Sequence, residues 1–244
     1  MKIFLTGGTG FLGSKFYDVA NSKHHLISLN RNSTSNPKHV FGTLTSDFPV
    51  LKTCNMLIHF ASHGVSPGKT TFKKAYEINV KQTLKLLNHA ADQGVKKFII
   101  IGSSQEYGEL AQKGSKISTN SPLIPKTNYA KSKVKAFYEI KEFCQKRKVF
   151  VTYLRVFNTF GEGQKEDSLW GQIKKSINTN NKIKIKHPNK MIDILPAEKA
   201  AKKIFKFINF SENKRGKIKV ANVGSGKTIS IANFTSDKII KLSR

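Results

Sequence analysis

Lys2-Ile3-Phe4-Leu5-Thr6-Gly7-Gly8-Thr9-Gly10-Phe11-Leu12-Gly13-Ser14 is the stretch that decides the fold. A short apolar strand runs into a G-x-x-G-x-x-G turn at Gly7, Gly10 and Gly13, and a helix over about 11–21 follows. One glycine lets the turn tighten, a second lets a phosphate approach the backbone, and a third lets helix and strand pack closely. The helix that follows aims free N–H groups and its positive dipole end at that phosphate. Strand, glycine turn and helix in this order predict a dinucleotide-binding unit. Gly7, Gly10, Phe11, Leu12 and Gly13 are its candidate cofactor contacts.

Outward from this stretch, strand-like and helix-like segments alternate, which is the pattern of an α/β fold with a doubly wound parallel sheet. The second strand, His25-Leu26-Ile27-Ser28-Leu29, ends at Asn30-Arg31. In the NAD form of this fold an acidic residue at that point takes the ribose hydroxyls. A neutral amide and a guanidinium accept a 2′-phosphate instead. Asn30 and Arg31 therefore favour NADP over NAD, the alternative for Arg31 being a solvated loop charge. A polar loop is expected over 33–38, a weak third strand over 40–44 and a buried fourth strand over 55–61. One long helix is expected over 72–93, closed by Gly94. The fifth strand, Lys97 to Gly102, delivers Ser103, Ser104 and Gln105 at the carboxyl edge, where open α/β sheets bind ligands. A helix over 128–147 carries Tyr129 and Lys133 at i and i+4, on one face. A sixth strand over 149–156 ends in Phe157-Asn158. The expected domains are a dinucleotide-binding unit over 1–157 and a small, shortened substrate-binding subdomain over 158–244.

The chain has 244 residues, with 43 Lys and Arg against 15 Asp and Glu, a formal charge of +28. That excess is the electrostatic footprint of a nucleic-acid or anionic-surface binder. The lysines, however, are spread through nearly every segment and no nucleic-acid motif accompanies them. Solvated faces and a preference for anionic small molecules are the expectation. No apolar run reaches membrane-spanning length, and the first residues lead into a strand, so a cytoplasmic location with no membrane partner is expected. Cys54 and Cys144 stand far apart with no C-x-x-C pairing, which suits reduced thiols. No His, Cys or carboxylate cluster has ligand spacing, so no metal is expected.

The motifs now quoted, taken in order, resemble the extended short-chain dehydrogenase/reductase family of NAD(P)-dependent sugar-nucleotide epimerases, dehydratases and ketoreductases. They are Thr6 to Gly13, Leu57 to Ser62, Ile78-Asn79-Val80, Gly102-Ser103-Ser104 with Glu106-Tyr107-Gly108, Tyr129 to Lys133, Arg155 to Gly161, and Asn222 to Gly226 with Ile229-Ser230-Ile231. The resemblance implies Tyr129 as catalytic acid/base and Ser103 as hydrogen-bond donor to the substrate oxygen. Lys133 would depress the tyrosine's pKa and bind the nicotinamide ribose; a tyrosine ordinarily titrates near about 10, and adjacent cations stabilise its phenolate. It further implies Asn79 holding geometry and water near the pair, Phe60, Ala61 and Ser62 along the cofactor, and Phe157 near the nicotinamide. Core packing is the alternative for Phe60 and Phe157. Ser104, Gln105 and Asn158 would touch substrate, Asn158 at its diphosphate. A homodimer is a family habit.

Departures narrow the reaction. Ser104-Gln105 replace the Asp-Glu pair of the dehydratase branch, which disfavours elimination chemistry. The expected function is reduction of a nucleotide-linked 4-keto-6-deoxysugar with NADPH. The alternatives are a sugar-nucleotide 4-epimerase with recycled NAD, and a non-catalytic RNA- or nucleotide-binding member of the same fold. Ile192 stands where the family often has a phosphate-gripping arginine, with Asp193 retained and Lys184, Lys186 and Lys190 nearby in sequence. Gly224-Ser225-Gly226-Lys227-Thr228 resembles the end of a triphosphate-binding loop, but Ala221 occupies the position where that motif needs its first glycine. A strand-to-helix turn is expected there.

Overall fold

Continuous apolar strands can be buried on both faces only if helices cover each side of a parallel sheet. The computed structural model describes residues 1–31, 39–45, 48–66, 68, 70–112, 117–179, 181–209 and 214–242; the loop expected over 33–38 lies outside them. The elements begin with β1 (Lys2–Thr6), α1 (Phe11–Ala20), β2 (His25–Asn30), β3 (His39–Phe41) and β4 (Met56–His59). Then follow α2 (Phe72–Tyr76), a π-helical turn (Glu77–Gln82), α3 (Thr83–Asp92), β5 (Lys97–Ser103), α4 (Asn128–Arg147) and β6 (Phe150–Val156). The last part adds β7 (Asn158–Phe160), α5 (Leu169–Thr179), β8 (Met191–Pro196), α6 (Ala197–Phe205), β9 (Ile218–Val223), β10 (Thr228–Ser230) and α7 (Ile231–Leu242).

Seven parallel strands form one sheet in the order β3-β2-β1-β4-β5-β6-β9. This is the Rossmann-like α/β fold, with its crevice at the reversal between β1 and β4. One apolar cluster, around Phe4, Leu57, Leu86, Phe98, Ile140 and Tyr153, fills the face under α3 and α4. A second, around Leu5, Phe16, Ile58, Leu154 and Ile204, fills the face under α1 and α6. Both faces are covered, as the sequence requires.

The segment 158–244 serves two layers. Strands β10, β8 and β7 make a separate small sheet, while β9 returns to the main sheet beside β6 and pairs Arg155 with Asn222. Helix α6 packs against α1. The reason is chemical: β6 is buried along nearly its whole length, so its edge backbone N–H and C=O groups need a partner strand. The unit expected to end at 157 is thus completed by later residues.

The helix expected over 72–93 runs without a break from Phe72 to Asp92, with a π-turn over Glu77–Gln82 inside it. Thr83 Oγ1 donates to the carbonyl of Ile78, five residues back, at 3.3 Å. The extra residue in the turn re-aims Asn79 inward, and such insertions are common at functional sites. Gly94 ends the run with φ 92°, in the left-handed region that glycine tolerates. The third strand is shorter than expected and stops at Phe41.

Candidate active site

At the turn after β1, Gly7 has φ +72°, and a Cβ there would lie 2.6 Å from the amide nitrogen of Ala61. A Cβ on Gly13 would lie 2.0 Å from the carbonyl oxygen of Gly7. The loop therefore admits only bare backbone at these positions. Gly10, the N-cap of α1, supplies no side-chain cap, so the amides of the first helical turn have no side-chain partner from it. Those orphan donors and the dipole suit a phosphate. Beside the turn, the side chain of Asn30 accepts from Thr9 Oγ1 at 3.5 Å, while Arg31 is exposed. Phe11 and Leu12 are half-buried. Phe60 packs its ring on Phe16 at 5.1 Å, the core role that its apolar strand allowed.

Across the crevice the expected residues converge. The Tyr129 hydroxyl faces the side chains of Ser62 and Ser103, whose hydroxyls favour its phenolate. Thr127 caps α4 by accepting from the amide of Ala130 at 3.1 Å, which fixes where Tyr129 starts the helix. Asn79 ties the site together: Nδ2 donates to Ser132 Oγ and to the His63 carbonyl, both at 2.9 Å, and Oδ1 accepts from the His63 amide at 2.8 Å. Ser62 also donates to Asn79 Oδ1 at 3.3 Å. Asn79 thereby joins the loop after β4 to the helix that bears Tyr129.

Burial dominates the electrostatics of this pair. Burial pushes the Tyr129 phenol up to about 12; the Ser62 and Ser103 hydroxyls oppose this, and Glu106 adds to it. Lys133 Nζ is turned to the carbonyl of Ile101, donating at 2.6 Å. Burial lowers the ammonium to about 8, partly offset by Glu106. The physical cause is desolvation: both groups sit where an unpaired charge is costly.

The expected substrate contacts divide. Ser104 is buried; Gln105 is half-buried and accepts from Thr127 Oγ1 at 3.4 Å. Asn158 is exposed and donates to the Asp193 carbonyl at 3.0 Å, so it belongs to the small sheet. Phe157 lies against Tyr107, ring centres 6.4 Å apart. The Asp193 carboxylate takes the amides of Ser225 (2.7 Å) and Gly226 (2.8 Å). The turn that looked like part of a triphosphate loop is wrapped around an internal carboxylate.

Sequence reasoning missed a buried polar layer beneath Ser103. Glu106 is fully buried; Oε1 accepts from the Ser103 amide (2.8 Å) and Tyr153 hydroxyl (2.9 Å), and Oε2 accepts from Arg155 Nε (2.8 Å). A Cβ on Gly102 would approach Tyr153 to 2.3 Å and Glu106 Oε1 to 2.8 Å, so only glycine leaves room for the pair. It also missed His59, whose ring meets Thr6 Oγ1 at 2.7 Å and Thr83 Oγ1 at 3.0 Å. The available signal was an arginine inside an apolar strand, which demands a buried anion.

The model of the NAD dependent epimerase/dehydratase family matches residues 3–224. The chain belongs to that family. The chain is similar to the UDP-glucose 4-epimerase of Vibrio cholerae, 26% identical over 228 residues that cover 84% of this chain and 69% of that protein. The low-salt glycan biosynthesis protein Agl12 of Haloferax volcanii is 26% identical over 197 residues, covering 69% of this chain. This chain thus spans 60% of that relative's length. Among solved structures, the UDP-glucuronic acid 4-epimerase of Bacillus cereus in complex with NAD superposes with a TM-score of 0.85. That match has 21% identity and covers 99% of this chain and 83% of the other, a likeness of fold. Among the described residues no helix is long and apolar enough to cross a membrane.

Proposed function

We propose that this family member is an NAD(P)-dependent enzyme that oxidises and re-reduces a nucleotide-linked sugar, and that its net reaction is 4-epimerisation. The observation that carries this is the placement of the buried Tyr129 hydroxyl against Ser62 and Ser103, at the carboxyl edge of the sheet, opposite a glycine turn that fits a pyrophosphate. The relatives named above, two of them UDP-sugar 4-epimerases, favour epimerisation over the net 4-keto reduction expected from sequence.

The amides of Phe11 and Leu12 at the start of α1 would hold the cofactor's pyrophosphate, with Asn30 and Arg31 at the adenosine end. Ala61, Ser62 and Phe157 would line its length, and Lys133 would turn from Ile101 to a ribose hydroxyl. The bound nicotinamide supplies the hydride acceptor and donor. Tyr129 Oη takes the proton of the sugar hydroxyl being oxidised and returns it on re-reduction, while Ser103 holds the same oxygen. A phenol held near about 12 is a proton donor at neutral pH; acting as base requires cations drawn close, since an adjacent positive charge favours the phenolate.

Asn30-Arg31 supports a second reading, in which NADPH is consumed in reducing a 4-keto sugar. The assay that separates the two incubates the protein with UDP- and dTDP-linked hexoses. Interconversion of C4 epimers with catalytic NAD is the expected result; NADPH consumed in proportion to a ketosugar, without epimers, would establish the reductase.

A further inference from the structure

Glu106 and Arg155 are both fully buried, lie 49 residues apart in sequence, and belong to no reacting set named above. An ion pair in this setting survives only if every remaining lone pair and proton is matched. Here the matching groups are parts of the site's frame. Glu106 holds the Ser103 amide, so the carboxylate fixes the end of β5. Arg155 Nη1 donates to the Tyr107 hydroxyl and to the Thr119 carbonyl, both at 3.1 Å. Tyr107 donates onward to Asn222 Oδ1 at 2.7 Å, and Asn222 Nδ2 donates to the Ile117 carbonyl at 3.1 Å. The network therefore joins β5, β6 and β9 to the segment 117–119, which leads to the Thr127 cap and Tyr129.

Resting on the function proposed above, we propose that Glu106, braced by Arg155, is a positioning residue: it places Ser103 and carries a buried negative charge that acts on Tyr129 and Lys133. The charged and titratable groups around it are Tyr153 and Arg155 on β6, Tyr107 beside it, and Tyr129 and Lys133 on α4. On β8, Asp193 is turned to its own amides. Glu106 raises both Tyr129 and Lys133, so removing its charge should bring the phenol down.

The test compares the full-length protein with Glu106→Gln and Glu106→Asp. Tyr129 is titrated by phenolate absorbance, each protein being read against its own Tyr129→Phe counterpart, and turnover is measured across pH. Glu106→Gln should move the Tyr129 titration and the ascending limb of turnover to lower pH by roughly half a unit or more. It should also lower turnover about tenfold through the displaced serine. Glu106→Asp, which keeps the charge, should leave the titration near that of the parent while still lowering turnover. If Glu106→Gln does not fold, the Glu106→Gln/Arg155→Met double variant removes both charges together and leaves no orphan ion. An unmoved Tyr129 titration with turnover within twofold of the parent overturns the proposal. A moved titration in a protein that turns over no sugar nucleotide supports the charge placement and overturns the proposed function instead.

Discussion

Asp193 Oδ2 accepts the backbone N–H of Gly226 at 2.8 Å, and its other oxygen accepts that of Ser225 at 2.7 Å. A carboxylate inside the protein thus fills an amide nest that would otherwise attract an anion. A Cβ on Gly224 would meet that carboxylate at 2.6 Å, so the turn closes tightly on it.

Asp193→Asn is therefore expected to destabilise the protein by about 1–3 kcal/mol, because one amide must then face a donor. Urea unfolding of the variant measures this. The same occupancy predicts that Lys227→Ala leaves any effect of ATP with magnesium on the melting temperature unchanged; loss of a saturable rise in that variant would contradict the internal role.

Tyr129→Phe keeps the ring and removes the hydroxyl that meets Ser62 and Ser103. Turnover should fall by about 10²–10⁴-fold, the range for loss of a general acid/base. Cofactor affinity, followed by fluorescence titration, should stay within about twofold, because the glycine turn is untouched. Full activity would remove Tyr129 from the proposed mechanism.

Gly13→Ala places a methyl 2.0 Å from the Gly7 carbonyl, against backbone that has no rotamer to yield. Overpacking of this kind costs about 1–3 kcal/mol. Cofactor binding should be lost more completely than stability, since the displaced turn adjoins the amides proposed to hold the pyrophosphate. Calorimetric titration with NAD and NADP, alongside thermal melting, reads both effects.

Reversing the exposed charge in Arg31→Glu should weaken NADP(H) far more than NAD(H) if Arg31 meets a 2′-phosphate. Equal effects on the two cofactors would make it a bystander and remove the support for the reductase reading.

Thr83 gives its hydroxyl proton to Ile78, so the His59 ring donates from Nε2 to Thr83 and accepts from Thr6 at Nδ1. The ring is wholly buried and neutral, and burial with the nearby Lys133 lowers its pKa to about 3. Between the unfolded value of about 6.5 and that folded value, the unfolded chain binds a proton that the folded one refuses. Stability contributed by this site is full above about pH 6.5 and declines as pH falls, by about 2–3 kcal/mol at pH 4.5. His59→Gln, compared with the parent by urea unfolding from pH 7 to 4.5, should flatten that slope.

Much of this architecture was legible because it is local. The helix of Tyr129 and Lys133 runs from Asn128 to Arg147 as its spacing predicts, since a Thr127 cap and 3.6-residue periodicity are properties of neighbouring residues. The π-turn at Glu77–Gln82 was not legible: it goes with the bonds of Asn79 to Ser132 and His63, contacts made across the molecule.

By itself, the sequence determined the parallel α/β class, the glycine turn, Ser103 at a strand end and Tyr129 with Lys133 on one helix face; the family resemblance implied that they share a site. Apolar runs, backbone sterics and i to i+4 spacing act over a few residues and can be read directly. Only the tertiary structure decided the state of those groups. Burial holds the Tyr129 phenol protonated and turns Lys133 to Ile101. It also brought Arg155 under Glu106 and carried β9 back to the sheet beside β6. Desolvation and long-range pairing depend on what the rest of the chain places around a residue.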